Sequence, residues 1–203
     1  MIPPLLILTP NDSRPIDHLI EWLRHLGCSG VQGIIYREFN RPAVDNHRAL
    51  DIALQQFRFV SVHHRSLVPP HARAAAPALH LPIGANPGTP QPFGCSCHSA
   101  AELDHAFQAG ASYALLSPVY RPTSKPTDTR QPLGLAAFMN LAQHRPVLAL
   151  GGVTAARYAR LRASGAYGAA VLGDFASITT PHEAMTKVDH YESSLANVNN
   201  SES

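Results

Sequence analysis

Residues 145–175, RPVLALGGVTAARYARLRASGAYGAAVLGDF, hold two apolar runs separated by an amphipathic stretch. VLAL and AAVL show no polar alternation, the pattern of strands covered on both faces. Between them Thr154 stands where a helix N-cap belongs and Gly165 where a helix stops. A strand–helix–strand unit of about 30 residues joins parallel neighbours by a crossover.

The same alternation extends upstream. SYALLS (112–117), GCSCH (94–98), ALHL (78–81), RFVSVHH (58–64), VQGIIYRE (31–38) and LLILT (5–9) read as six further strands. Helical patterns follow most of them. In 12–27, Asp12 or Ser13 is the expected N-cap, Gly27 the stop, and Ile16, Leu19, Ile20, Leu23 and Leu26 share one face. Residues 43–57, a short piece within 66–76, 133–143 and 154–165 are the next helices. So is 99–110, where Ser99 and Glu102 form a capping-box pattern. PIGANPGTPQPFG (82–94) is too rich in Pro and Gly for a helix, so the fourth helix is expected to be reduced or missing. A weaker helix over 181–191 ends the pattern. Eight such units favour an α/β fold of (β/α)8 TIM-barrel type, a single domain over residues 1–190, with 191–203 a disordered polar tail.

The 203 residues suit one domain. Charged residues are 15%, and the formal charge of +2 is scattered without a basic stripe, which gives no footprint for nucleic acid. No apolar run reaches membrane-spanning length. MIPPLLILTPNDS lacks a basic leader and a small-residue cleavage site, so it reads as a first strand rather than a signal peptide. Three cysteines outside any secretory pattern suit reduced thiols in the cytoplasm.

In such a barrel, function gathers where the strands end. Those ends carry Thr9, Arg37, Glu38, His63, His64, His80, Ser96, His98, Ser117, Gly151, Gly152 and Gly173. In LALGGVTAAR the glycines bare backbone N–H groups, and Thr154 opens a helix whose first turn favours an anion. With VLGDF beside it this is the usual phosphate position, although the Asp174 carboxylate opposes an anion. A tight turn is the plainer alternative. YALLSPVYRPTSKP (113–126) leaves the neighbouring strand and brings Thr123, Ser124 and Lys125 toward the same anion, unless it is simply a solvated, proline-stiffened loop.

The stretches HLP (80–82), GCSCHSAAELDHAFQAGASYALLSPVYRPTSKP (94–126) and LGLAAFMNLAQHRPVLALGGVTAARYARLRASGAYGAAVLG (133–173) resemble the thiamine phosphate synthase and thiazole tautomerase superfamily. The detail SCHS…EL…LLSP resembles most the synthase-like domain that some bacteria fuse behind a Nudix hydrolase. The resemblance implies a (β/α)8 barrel binding a thiazole phosphate, as a homodimer. By position, Gly152, Leu172 and Gly173 look like the thiazole-phosphate cradle. Ser124 and Lys125 look like the synthase's hydroxyl and lysine, Ser96 like its serine near the pyrimidine, and Arg37 like its strand-two arginine.

Departures from the synthase pattern fall on one side. Its strand-two glutamine and lysine positions hold Ile35 and Phe39, its strand-three Asn-Asp is His63-His64, and no acid follows the HL of strand four. Magnesium prefers hard oxygen ligands, so Mg²⁺ is expected only if the protein is a working synthase; otherwise no cofactor is expected. The histidine that some tautomerases carry at the strand-six end is Ser117-Pro118. His63, His64 and His98, with His80 near, are the candidate acid–base groups in its place, although each alone reads equally as a packed histidine. Cys95-x-Cys97-His98 and the histidines raise the question of a transition metal. If Ser96 faces the barrel mouth, strand alternation turns both thiols toward the helices, so no metal site is expected. The leading expectation is a divergent synthase-like protein of thiamine metabolism, closer to a tautomerase than to a full synthase, binding a small phosphorylated thiazole. An active synthase and a non-catalytic phosphate-ligand sensor or carrier are the alternatives.

Overall fold

A computed structural model of the chain describes residues 1–85, 88, 90–121 and 129–201, with side chains through Leu195. Eight parallel strands close into one barrel in sequence order. They are β1 (Leu5–Leu8), β2 (Gly33–Tyr36), β3 (Phe59–His63), β4 (Ala78–Pro82), β5 (Phe93–Cys97), β6 (Tyr113–Leu116), β7 (Val147–Leu150) and β8 (Gly168–Val171). The ring is sealed where β1 pairs with β8, Leu5 to Ile7 lying beside Ala169 to Val171. Around it run α1 (Ile16–Gly27), α2 (Ala43–Gln56), α3 (Pro70–Ala75), α4 (Ala100–Gln108), α5 (Gly134–Ala142), α6 (Ala155–Ala163), α7 (Gly173–Ala176) and α8 (Pro181–Ser201). This is the (β/α)8 barrel that the sequence predicts. No helix stands between β4 and β5 among the described residues. No helix among them is long and apolar enough to cross a membrane.

Strand alternation sorts the core into two clusters. Ile7, Ile34, Val60, Val62, Cys95, Cys97, Ala114, Leu116 and their equivalents face the helices. Leu6, Leu8, Ile35, Tyr113, Leu115, Leu148 and Ala170 fill the barrel interior. The interior is not uniformly apolar. Ser61 of β3, His80 of β4 and Tyr113 of β6 are buried polar groups, and Ser96 of β5 alternates with the helix-facing cysteines. Gly94, one pleat below Ser96 on β5, makes room for the Tyr113 ring; a Cβ there would overlap it.

Several boundaries differ from the sequence expectation for local reasons. Neither Asp12 nor Ser13 caps α1, which starts at Ile16 after Pro15. Asp12 instead accepts from the Arg14 backbone and guanidinium. Gly27 closes α1 from within, and the chain reverses at Gly30, φ +88°. A single-turn α7 begins at Gly173, two residues past the end of β8. The last helix, α8, runs to Ser201, past Tyr191 and into the segment expected to be a tail. Tyr191 and Leu195, one turn apart, both pack on the helix-facing core, and Tyr191 meets Tyr158 and Phe175 at ring distances of 5.6 and 5.4 Å.

Candidate active site at the barrel mouth

A cavity of about 300 Å³ opens at the C-terminal ends of the strands. Leu8, Ile35, Leu115, Leu150 and Ala170 line its apolar depth. Of the residues expected at the site, Arg37, His63, Ser96, Ser117, Gly151, Gly152, Leu172 and Gly173 line it together. Thr123, Ser124 and Lys125 lie outside the described residues. His64 and His98 are exposed and do not line the cavity. His64 continues the β-ladder through its N–H to the His80 carbonyl, with its ring 4.4 Å from that of His63. His98 follows the last residue of β5, and its N–H already caps α4 by donating to Glu102 at 2.6 Å. Its Nδ1 turns to the Ser117 carbonyl at 2.8 Å, beside Arg130.

The β6 and β7 loops are pressed together. Val119 and Tyr120 donate to the Leu150 and Gly151 carbonyls. Gly151 and Gly152 adopt φ of +98° and +61°, and a Cβ on Gly152 would stand 2.5 Å from the Arg121 carbonyl oxygen. Only glycine fits there without strain. Thr154 caps α6 as expected, accepting from the Arg157 N–H. Arg157 reaches back to the Gly152 carbonyl at 2.6 Å and lies over the Tyr120 ring at 4.6 Å. With Arg121 and Arg130 it makes this side of the mouth cationic. Asp174, which opposes an anion here, lines the wall, but its carboxylate accepts from the Tyr191 hydroxyl at 3.0 Å and is held toward α8.

A second cationic group lies across the mouth. Phe39 is flanked by the guanidinium groups of Arg37 and Arg65, 5.4 and 4.7 Å from its ring centroid, and touches His63 at 4.7 Å. These residues follow β2 and β3, which stand opposite β6 and β7 in an eight-stranded ring. Burial, then the neighbouring His80, His64, Arg37 and Arg65, push the His63 pKa down to about 3. His80, 2% exposed, is pushed down to about 3 by burial and by His64 and Arg37. Both imidazoles are therefore neutral near pH 7. Glu38 takes no part in the cavity. It is fully buried, accepts from the Asn11 N–H and pairs with Arg41 at 2.9 Å, tying the β1 and β2 loops together.

Magnesium does not fit this donor set. Among the described residues the wall at β2 to β4 offers Arg37, Phe39, His63, Arg65 and His80 and no carboxylate, while Asp174 is the one lining acid, on the opposite side. Both His80 nitrogens are already hydrogen-bonded. Cys95 and Cys97 face the helices as expected, and burial pushes the Cys97 thiol up to about 12. No cluster of three metal-ligating side chains occurs among the described residues.

Arg65, Arg121, Arg130 and Arg157 were not among the residues expected from the sequence. Arg65 and Arg121 carried a signal, a cation two and five positions past a strand end, whereas Arg130 lies far along the β6 loop and had none. Arg157 in particular lies three residues beyond the Thr154 cap, where the first turn of a helix folds it back over the strand terminus.

The thiamine monophosphate synthase family model matches residues 89–175, the β5–β8 half of the barrel with its GG loop. A thiamine-phosphate synthase of Salinispora arenicola is 38% identical over 109 residues, 51% of this chain and 52% of that one. A thiamine-phosphate synthase of Leuconostoc citreum is 26% identical over 71% of this chain and 74% of its own. The chain spans about half the length of the first curated relatives it matches. A thiamine phosphate pyrophosphorylase structure from Pyrococcus furiosus superposes with a TM-score of 0.74 at 20% identity, covering 94% of this chain and 96% of that one, a likeness of fold.

Proposed function

We propose, for a chain whose residues 89–175 match the thiamine monophosphate synthase family model, that the mouth binds a phosphorylated thiazole carrying a second anionic group and moves a proton on its ring. The observation that carries this is the pair of cationic poles, Arg121 and Arg157 on one side and Arg37 and Arg65 on the other, across an apolar floor. The phosphate belongs beside Gly152 and Gly173, and a ring carboxylate beside Arg37 and Arg65. His63 is the acid–base group. Its imidazole is held down first by burial and then by neighbouring charge; a carboxylate between the two arginines offsets the second part and raises the pKa toward its ordinary value. The reaction is an isomerisation: one ring proton leaves for His63 and one returns at another ring position, with no change of formula. His64 and His98, exposed and outside the lining, act on the ring in neither step.

A second reading is a working synthase, joining a thiazole phosphate to a pyrimidine diphosphate. Arg37 and Arg65 favour it, because two guanidinium groups can take the charge of a departing diphosphate without a metal. The homodimer implied by the resemblance and the cytoplasmic location expected from the cysteines accompany either reading. Purified protein is titrated, in thermal unfolding, with thiazole phosphate, its carboxylated form, and pyrimidine diphosphate with and without Mg²⁺. At about 100 times its dissociation constant a ligand adds about 2.7 kcal/mol. The isomerase reading expects the largest shift with the carboxylated ring, and solvent deuterium entering that ring. Thiamine phosphate formed at a useful rate selects the synthase. Binding with neither reaction selects a carrier or sensor.

A further inference from the structure

Helix α8 reaches the mouth through one hydroxyl. Tyr191 is buried and does not itself line the cavity. Its ring packs against Tyr158 of α6 and Phe175 of α7. Its hydroxyl lies 3.2 Å from the Val153 carbonyl, in the β7 loop next to Gly152, and 3.0 Å from Asp174 Oδ2, in α7 next to Gly173. Burial, and then the Asp174 charge, push the phenol well above its ordinary value, so the hydroxyl keeps its proton and donates. That one proton has two acceptors, and the carboxylate is both the nearer and the charged one.

Asp174 is the odd group in this wall. It is the one acid among the described lining residues, on the side of Arg121 and Arg157. It forms no ion pair among the described residues, and the Tyr191 hydroxyl is the one donor to its carboxylate there. The backbone of α7 is fixed from elsewhere. Trp22 Nε1 donates to the Phe175 carbonyl at 2.8 Å, and Arg14 to the Ala176 carbonyl at 3.0 Å. Neither bond sets the direction of the Asp174 side chain. A half-buried carboxylate without a partner turns to the water of the mouth, where it opposes any bound anion.

We propose that Tyr191 is a positioning residue for the anion side of the mouth: its hydroxyl holds the Asp174 carboxylate against α8, and that restraint is what leaves the wall beside Gly152 and Gly173 open to a phosphate. The inference rests on the reading that a phosphate binds there. It makes the last helix part of the site, although none of its described residues lines the cavity. The coupling runs both ways. An anion favours the arrangement with Asp174 turned aside, and so tightens the contact of α8 with α7.

Calorimetric titration of the whole chain with inorganic phosphate tests this. Tyr191→Phe keeps the ring and its packing and removes only the hydroxyl. It should weaken phosphate by about tenfold, the worth of one charge-assisted hydrogen bond. Adding Asp174→Asn should restore the wild-type affinity, because an amide repels no anion; a merely loosened α8 would not be repaired by that change. Asp174→Asn alone should tighten phosphate by less than about threefold, since the wild type already keeps the carboxylate aside. Equal affinity of the wild type and Tyr191→Phe, or a loss that Asp174→Asn does not repair, overturns the positioning role and leaves the phosphate reading standing. A gain of about tenfold or more from Asp174→Asn alone overturns it too, whether or not Tyr191→Phe folds, because the carboxylate would already face the anion. If neither the wild type nor Asp174→Asn binds phosphate, the phosphate reading falls and the proposal with it.

Discussion

Gly152 lies against the Arg121 carbonyl oxygen at a distance that leaves no room for a side chain: a Cβ would stand 2.5 Å away. This contact locks the β7 loop to the β6 loop and sets the distance between Arg121 and Arg157. Gly152→Ala combines that overlap with a left-handed backbone, which alone costs about 1–2 kcal/mol. The variant should melt several degrees lower and lose affinity for phosphorylated ligands, read by calorimetry and by protection against unfolding. Unchanged affinity would mean that the two loops do not jointly hold the phosphate.

Arg41 and Glu38 form a buried pair outside the cavity lining, directly behind the Arg37 pole. Glu38 is fully buried, and the Arg41 guanidinium also donates to the Arg14 carbonyl at 2.7 Å. Arg41→Ala strands a carboxylate and should cost about 3–5 kcal/mol in urea unfolding. Adding Glu38→Gln should recover part of that loss, because an amide tolerates the site better than an unpaired charge.

The two cationic poles should separate by ligand. Arg65→Ala should weaken the carboxylated thiazole phosphate by about tenfold or more and barely affect the uncarboxylated ring, as expected for loss of one charge-assisted contact. Arg157→Ala should weaken both. If Arg65→Ala weakens both rings equally, the β2–β3 pole is not a carboxylate site.

Acid should destabilise the fold before its carboxylates titrate. His63 and His80 have pKa values near 3 in the folded protein, against about 6.5 in an unfolded chain. Between those values the unfolded state binds protons that the folded state refuses. Stability is therefore complete above about pH 6.5 and falls as pH drops, by about 1.4 kcal/mol per unit for each histidine. Urea unfolding from pH 7 to pH 5 should show that slope, and His63→Asn should remove about one proton's share. A flat profile would mean that neither imidazole is held neutral.

Much of this architecture was readable because its signals are short-ranged. Continuous apolar runs between capped helices specify a parallel barrel, and strict alternation about Ser96 turns the serine inward and Cys95 and Cys97 outward. The Ser99 and Thr154 caps form as written. What escaped depends on geometry beyond one element. His98 shares the strand-end position of His63, yet α4 claims its backbone and its ring turns to the Ser117 carbonyl. Arg65 and Arg157 gain meaning only when the ring closes and sets β3 opposite β7. The Tyr191 hydroxyl joins the β7 and β8 loops from the last helix, at no sequence spacing at all.

The seam between β1 and β8 joins Leu6 to Ala170, about 160 residues apart, with Gly168 set against the Pro4 carbonyl. On a ribosome adding about 5–20 residues per second, β1 waits roughly 8–30 s for its partner. For that interval the nascent chain is a growing curved sheet, and its first strand offers an open edge to any passing chain. Pro3 and Pro4 stand immediately before that strand and have no N–H to offer, so part of the waiting edge is already silenced as it leaves the exit tunnel.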